Sequence, residues 1–209
     1  MIFLQTRSAS LSQGRGCGVG PPFVEREQCV EHAETERALI ELRGRLDRQE
    51  SRLQLAEDQL AIMNLMARYG LAADCGNDAL AMACHTKDAE YRVSSPRAGR
   101  DGGHEDLVLQ GREAIGEMLR SDLHQSMLPN TAHTVGPSDI DVRGDNARAI
   151  GYSRLYLREG EQPRLLRLSI NDWMFHRVSG QWLIATRTSR LVGESAAQDI
   201  LRSLSRPER

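Results

Sequence analysis

Two residues that are far apart in the sequence could together move a proton. Asp74 ends a predicted long amphipathic helix, and His133 opens the strand-rich second half of the chain. A carboxylate that leaves a helix and an imidazole that enters a sheet can meet inside one pocket. Histidine has an unperturbed pKa of roughly 6.5, so the imidazole could remove a proton from carbon while the carboxylate holds one ring tautomer. This chemistry requires no metal and no cofactor, and we expect none.

The residues alone leave other roles open for both side chains. Asp74 could cap the helix predicted at 78–84 or hydrogen-bond the turn at Gly76–Asn77. His133 could be a core histidine with its hydrogen bonds satisfied, or a surface residue. Tyr69 lies on the apolar face of its helix and would pack in a core whether or not its hydroxyl contacts a ligand.

A long helix must position Asp74. Leucines recur at every seventh residue from Glu34 onward, and Glu and Arg alternate on the polar faces. The repeating residues are Leu39, Leu46, Leu53 and Leu60. We predict a helical extension over 34–58 that could pair with a partner chain or dock on its own domain. Past Leu60 the apolar positions broaden, as they do when a helix enters a globular core.

The two ends of the chain are predicted to be tails. Residues 1–33 are rich in Ser, Gly, Pro and Gln, a composition that resists regular structure, so we expect a disordered tail. Residues 194–209 follow the last predicted strand and are expected to form a C-terminal tail. Between the tails and the helical extension, residues 59–193 form the predicted domain.

The predicted domain has helices first and strands afterwards. A short helix over 78–84 precedes a strand over 89–93 and a second one over 106–110, and a third helix begins at Gly111. The rest reads as long strands rich in Ile, Leu, Tyr and Trp. Turns separate these strands at 143–146, 158–162 and 178–181. This order is typical of an α+β fold with an antiparallel sheet.

Composition excludes several classes of function. Hydrophobic residues make up 40% of the 209 residues and charged residues 27%, the balance of a soluble globular protein. The net charge of -2 argues against a nucleic-acid partner, which favours a basic surplus. No apolar run is long enough for a signal peptide or a membrane span, so we expect a cytoplasmic protein that does not bind membranes. The cysteines lack C-x-x-C spacing, and the histidines do not combine with acids at metal-ligand spacing, so we predict no metal site.

Six short motifs follow one another in order between Gln59 and Gly193. They lie at Arg68, Tyr69 and Asp74; at Asp88, Ala89 and Tyr91; at Gly111 to Ile115; at His133; at Ile140 to Ala147; and at Gly180, Trp182, Ile184 and Arg187. In this order and spacing the chain resembles the SnoaL-like branch of the nuclear transport factor 2-like superfamily. The resemblance implies a curved antiparallel sheet wrapped around helices to form a cone, a cystatin-like α+β barrel, preceded here by the helical extension.

The resemblance also implies a site. Scytalone dehydratase, bile-acid dehydratase and hexachlorocyclohexane dehydrochlorinase use an aspartate at the helix end and a histidine at the sheet, and Asp74 and His133 fall on these positions. Tyr69, Tyr91 and Arg187 resemble substrate-binding residues of bile-acid dehydratase. The chain differs from many members of the family in having Asn171 and Trp173 where they have tyrosine and aspartate. If that strand lines the cavity, these two residues also contact the substrate.

These observations predict a cofactor-independent lyase, a dehydratase or a related elimination enzyme, that acts on a hydrophobic cyclic or aromatic small molecule through an Asp–His dyad. An isomerase or a polyketide cyclase on the same scaffold stays open. A ligand-binding or subunit protein without catalysis, such as a ring-hydroxylating dioxygenase small subunit, is the third alternative. The long heptad helix would suit assembly, and we expect a homo-oligomer, a dimer or a trimer.

Overall fold

The computed structural model describes residues 23–94 and 106–204. It contains five helices and six strands in these ranges, in the order α1 (Phe23–Asp74), α2 (Asp78–Ala83), β1 (His85–Val93), β2 (Leu107–Gln110), α3 (Arg112–Arg120), α4 (Asp122–Met127), β3 (Thr131–Arg143), β4 (Asn146–Glu159), β5 (Gln162–Val178), β6 (Gln181–Leu191) and α5 (Ser195–Arg202). The chain divides into two compact units, Met1–Glu50 and Ser51–Arg209. The first unit contributes the start of α1, and the second contains every other element.

The six strands form one mixed sheet. Its strand order is β2-β1-β6-β5-β4-β3, and β3 to β6 are joined by the predicted turns into an antiparallel meander. The prediction of an antiparallel sheet is wrong for one pair, because β1 runs parallel to β6. Helices rather than a tight turn precede β1, and β6 is distant in the sequence. The connection therefore permits either a parallel or an antiparallel pair between these two strands. The sheet is curved and unclosed rather than a barrel, because β2 and β3 are its two edges and do not pair in the described part of the chain.

Three predicted boundaries differ from the structure. Helix α1 begins at Phe23, inside the predicted tail, because no Gly or Pro follows Pro22 until Gly44; residues 1–22 lie outside the described residues. The predicted third helix is two helices, since Ser121 is extended and caps α4. Helix α5 lies in the predicted C-terminal tail, where apolar residues spaced three and four apart bury one face.

The main core lies between the helices and the concave face of the sheet. Helix α1 contributes Ile62, Leu65, Met66 and Tyr69 to a cluster that includes Trp173 and Phe175 of β5. A smaller cluster joins α5 to Ile150 and Ile170. Since side chains alternate across a strand, Ile170 and Trp173 lie on opposite faces of β5. The sheet therefore buries one face under α1 and part of the other under α5.

A buried carboxylate fixes α1 to the end of the sheet. Asp58 accepts hydrogen bonds from Arg177 Nη2 at 2.7 Å and from Trp182 Nε1 at 3.0 Å. Arg177 also stacks over the Trp182 ring, with its guanidinium carbon 4.3 Å from the centroid. The Arg177 hydrogen bond lowers the pKa of Asp58, which therefore stays ionised at neutral pH. This cluster holds the helix that ends at Asp74.

Helix α1 has the predicted leucines on its surface. Leu39 and Leu46 in the first unit, and Leu53 and Leu60 in the second, are each about half exposed or more. None of the described helices is long and apolar enough to cross a membrane.

Candidate functional site

Asp74 and His133 are in direct contact. His133 Nδ1 lies 2.5 Å from Asp74 Oδ1, and the backbone N–H of His133 donates to Asp74 Oδ2 at 2.7 Å. Both side chains are largely buried, with 17% of Asp74 and 27% of His133 exposed. One carboxylate therefore binds the ring and the backbone of the same residue, which fixes the orientation of the imidazole.

Gly70 allows the helix and the strand to approach this closely. A Cβ atom at this position would lie 3.3 Å from the carbonyl oxygen of His133 and 3.6 Å from its Cβ. Glycine inside a helix costs roughly 1 kcal/mol relative to alanine. Gly70 lies one turn before Asp74, and the close approach of β3 to α1 at this point explains why a glycine is present despite its low helix propensity.

The contact with Asp74 selects the tautomer of the histidine. A carboxylate only accepts hydrogen bonds, so in the neutral imidazole Nδ1 of His133 carries the hydrogen and Nε2 carries the free electron pair. No described residue hydrogen-bonds Nε2. The ring therefore has one nitrogen fixed by the acid and the other available as a base.

His133 borders a cavity of about 200 Å³ between the helices and the sheet. Apolar residues from both sides form most of its wall, among them Leu107, Met118, Leu119, Leu123, Met127, Val135 and Leu155. An apolar cavity of roughly 150 Å³ holds a benzene molecule. The cavity is therefore large enough for a small cyclic molecule.

Arg187 joins the predicted tyrosines and Trp173 into one cluster. Its guanidinium carbon lies 4.4 Å from the Trp173 ring centroid, 5.0 Å from that of Tyr91 and 5.6 Å from that of Tyr69, and its Nη1 donates to Tyr91 Oη at 3.3 Å. All four side chains line the cavity. Burial raises the pKa of Tyr69, so its hydroxyl stays protonated and can donate a hydrogen bond.

Asn171 does not line this cavity, although we predicted a substrate contact for it. It is fully buried, accepts a hydrogen bond from Arg187 Nε at 3.1 Å, and donates to Ser153 Oγ at 2.8 Å. The amide therefore holds the guanidinium in place from behind. The strand does face the cavity, as Trp173 shows.

Two buried histidines near the cavity differ from His133. His85 packs edge-on against Tyr69 and its Nδ1 donates to the Ala81 carbonyl at 2.8 Å; burial lowers its pKa to about 4, so the ring is neutral. His124 lines the cavity, with its Nε2 2.9 Å from the Ala73 carbonyl. Neither ring contacts a described carboxylate. His133 is therefore the cavity histidine that an acid orients.

Arg154 and Arg167 also line the cavity, and the sequence analysis did not identify them. Arg167 alternates with Ser169 and Asn171 along β5, a polar series on the inward face that would identify it once the register is known. The described residues contain no cluster of three or more His, Cys, Asp or Glu that could hold a metal ion.

The comparisons with known proteins agree with this architecture. Residues 54–188 match the SnoaL-like domain family. An NTF2-like protein with a cystatin-like fold from Novosphingobium aromaticivorans is 31% identical, with a TM-score of 0.64 over 72% of this chain and 93% of that one. A Mycobacterium tuberculosis protein of unknown function is 22% identical, with a TM-score of 0.56 over 71% and 87%.

A third solved structure, from N. aromaticivorans, has a name that proposes scytalone dehydratase activity; it is 19% identical, with a TM-score of 0.54 over 68% of this chain and 88% of that one. At this identity the likeness concerns the fold alone. No curated protein matches the chain in sequence. The family match covers most of the second compact unit, including Asp74, His133 and the strands around the cavity. The chain belongs to the SnoaL-like domain family and has its NTF2-like, cystatin-like fold.

Proposed function

We propose that the protein is a cofactor-independent lyase, a dehydratase or a related elimination enzyme, acting on a hydrophobic cyclic or aromatic small molecule. The contact of 2.5 Å between Asp74 and His133 at the border of an apolar cavity carries this proposal. A base that is oriented by an acid and kept next to a small apolar space suits removal of a proton from carbon. The name of the structural neighbour with proposed scytalone dehydratase activity is consistent with this reaction.

In the proposed reaction His133 Nε2 takes a proton from a carbon next to an electron-withdrawing group. The electron pair of the broken C–H bond forms a carbon–carbon double bond, and the leaving group departs from the adjacent carbon with its own pair. Asp74 stabilises the imidazolium, which can then protonate a departing hydroxide to give water. Tyr69 and Tyr91 can donate hydrogen bonds to the substrate oxygen that gains negative charge in the transition state, and Arg187 can neutralise an anionic group of the substrate.

An isomerase or cyclase would use the same base, because it begins with the same removal of a proton. The products distinguish these reactions. An elimination product lacks the elements of the leaving group, whereas an isomerase returns the proton to another carbon and leaves the mass unchanged. A binding protein without catalysis would give neither product and would not exchange the carbon-bound hydrogen with solvent.

We expect the purified protein to convert members of a panel of cyclic β-hydroxy ketones into products that lack one water. In D₂O, recovered substrate should contain deuterium at the acidic carbon, because a carbanion that is reprotonated before the leaving group departs takes its hydrogen from the solvent. Turnover should be unchanged after dialysis against a chelator, since His133 and Asp74 require no metal in this mechanism. Mass spectrometry measures all three results. Loss of activity in the chelator would contradict the proposal.

We also propose that the exposed leucines of α1 pair with a second copy of the chain. Replacing Leu39 and Leu46 by glutamate places charges on that surface, so the particle mass measured by light scattering should fall to that of one chain. Arg48→Gln changes the charge of the same helix by an equal amount per residue, away from the leucine positions, and should leave the mass unchanged. An unchanged mass in the leucine variant would refute the pairing.

A further inference from the structure

The cavity contains a buried positive charge that no described carboxylate neutralises. Arg187 is 7% exposed, and its hydrogen-bond partners Asn171 and Tyr91 are both uncharged. It forms no ion pair with a described Asp or Glu. Aromatic faces stabilise a guanidinium only partly. A buried charge without a counter-ion is costly, so a negative group that enters the cavity would be bound strongly.

A second guanidinium faces the same cavity. Arg167 donates from Nε to Ser169 Oγ at 3.1 Å and from Nη2 to the Ser94 carbonyl at 3.0 Å. Burial lowers its pKa, and the positive charge of Arg187 lowers it further. Tyr91 and Glu194 raise this pKa and so oppose the effect, while the Glu194 carboxylate accepts its hydrogen bonds from Ser94 and Leu191. The two arginines therefore repel each other, and an anion bound between them would relieve that repulsion.

Trp173 provides an independent indication of a missing acceptor. The side chain is fully buried and lines the cavity, yet its Nε1 has no hydrogen-bond partner among the described residues. Buried indole N–H groups usually have a partner. An acceptor atom of a ligand in the cavity could supply it.

We propose that Arg187 and Arg167 form a binding site for a carboxylate group of the substrate, so that the substrate is a cyclic or aromatic carboxylic acid. This inference rests on the proposed function and specifies its substrate class. A carboxylate can accept hydrogen bonds from two guanidiniums through its two oxygens. The apolar wall of the cavity contacts the ring.

The proposed carboxylate site and His133 are on different strands of the sheet, with one strand between them. His133 pairs with Leu155, and Leu155 pairs with Arg167, so β4 lies between the strands of His133 and Arg167. Adjacent strands are about 4.8 Å apart, which places the two backbones roughly 10 Å from each other along the sheet. A substrate could therefore be held by its carboxylate while another part of its ring system reaches His133.

Binding of two molecules of the same shape tests the proposal without turnover. Calorimetry of the full chain at pH 7 should show that 2-naphthoate binds at least about tenfold tighter than 2-naphthamide, which has the same rings and no charge. Arg187→Met and Arg167→Met should each reduce this ratio, and the double variant should reduce it further. Arg154, the third arginine of the cavity wall, stays in place in all three variants. Arg164→Met removes the same charge from an exposed position on β5 and should leave the ratio unchanged.

Equal binding of the two probes by the unaltered chain would overturn the proposal, and so would a preference for naphthoate that is undiminished in the double variant. Thermal melting of each variant verifies that it is folded. His133→Ala should keep the preference for naphthoate, because it leaves both arginines in place. A preference without any enzymatic turnover would therefore refute only the lyase function, and turnover without a preference would refute only the carboxylate site.

Discussion

Replacing His133 by alanine, or Asp74 by asparagine, should reduce kcat/KM about 10²- to 10⁴-fold with the fold preserved. His133→Ala removes the base itself. Asp74→Asn keeps an acceptor for the backbone N–H of His133, which Asp74 binds at 2.7 Å. Its amide nitrogen can face Nδ1, and the hydrogen of the imidazole then moves to Nε2, the atom that must accept the proton. The two substitutions therefore remove the same step in different ways.

Two exposed residues provide matched controls for these variants. His176→Ala removes a histidine from β5, and Asp139→Asn removes a carboxylate from β3; both side chains are exposed, and activity should stay at the unaltered level. Steady-state rates with a substrate from the elimination panel measure the effect, and circular dichroism melting curves verify the fold. Turnover close to that of the unaltered chain in both site variants would reject the dyad. A double variant that is no slower than the slower single one would show that the two residues act as a unit.

Replacing Asp58 by asparagine should lower the free energy of unfolding by about 2–3 kcal/mol at pH 7. Asp58 is 6% exposed and is the ionised partner of Arg177 and Trp182. Asparagine retains the shape but not the charge. The partly exposed Arg177 would then lack its buried counter-ion, and the hydrogen bond from Trp182 would weaken. Urea unfolding at pH 7 measures the loss.

The same variant should have a defined pH dependence. The folded pKa of Asp58 lies below its ordinary value of 3.8, so its ionised form stabilises the fold above that pH. This contribution is lost as the pH falls through the lowered folded pKa, where the carboxyl becomes protonated in both states. The stability difference between the unaltered chain and Asp58→Asn should therefore be constant near neutrality and shrink in acid.

Asp145→Asn is the control for Asp58→Asn, because Asp145 also pairs with Arg177, at 3.1 Å. Its carboxylate is 78% exposed, and an exposed ion pair contributes roughly 0–1 kcal/mol. We expect a small change that is the same at every pH from 5 to 8. Equal losses in the two variants, or a loss for Asp58→Asn that persists in acid, would show that the charge of Asp58 does not stabilise the helix.

Local sequence was sufficient to predict most elements. The heptad leucines predict α1, and the turns at 143–146, 158–162 and 178–181 predict the meander of β3 to β6, which the structure confirms. These signals depend on the periodicity of neighbouring residues. The parallel pairing of β1 with β6 was missed for the same reason, since no local pattern specifies which distant strand a strand joins. Helix α5 was missed because its apolar face is short.

The candidate site was only partly accessible to sequence reasoning. Family resemblance located Asp74, His133, Tyr69, Tyr91 and Arg187, and the structure brings these residues to one cavity or, for Asp74, directly behind it. Arg167 was missed and Asn171 was given a substrate contact. Arg167 was missed because strand register cannot be read from one strand, and a shift of one residue turns every side chain to the other face. Asn171 is on the same inward face as Arg167, but it lies behind Arg187, and that depth depends on the packing of neighbouring strands.

By itself, the sequence determined helix α1, the turns, the family and the two groups capable of moving a proton, because residue type and short-range periodicity specify these features. Only the tertiary structure decided that Asp74 binds both the ring and the backbone of His133, and that Arg167 and Arg187 face the same cavity without a described ion-pair partner. The physical reason is that distances between side chains on α1, β3, β5 and β6 depend on the packing of the whole core. Burial lowers the local dielectric constant and so strengthens the electrostatic interactions of these charged groups, and the groups become buried only when the chain folds.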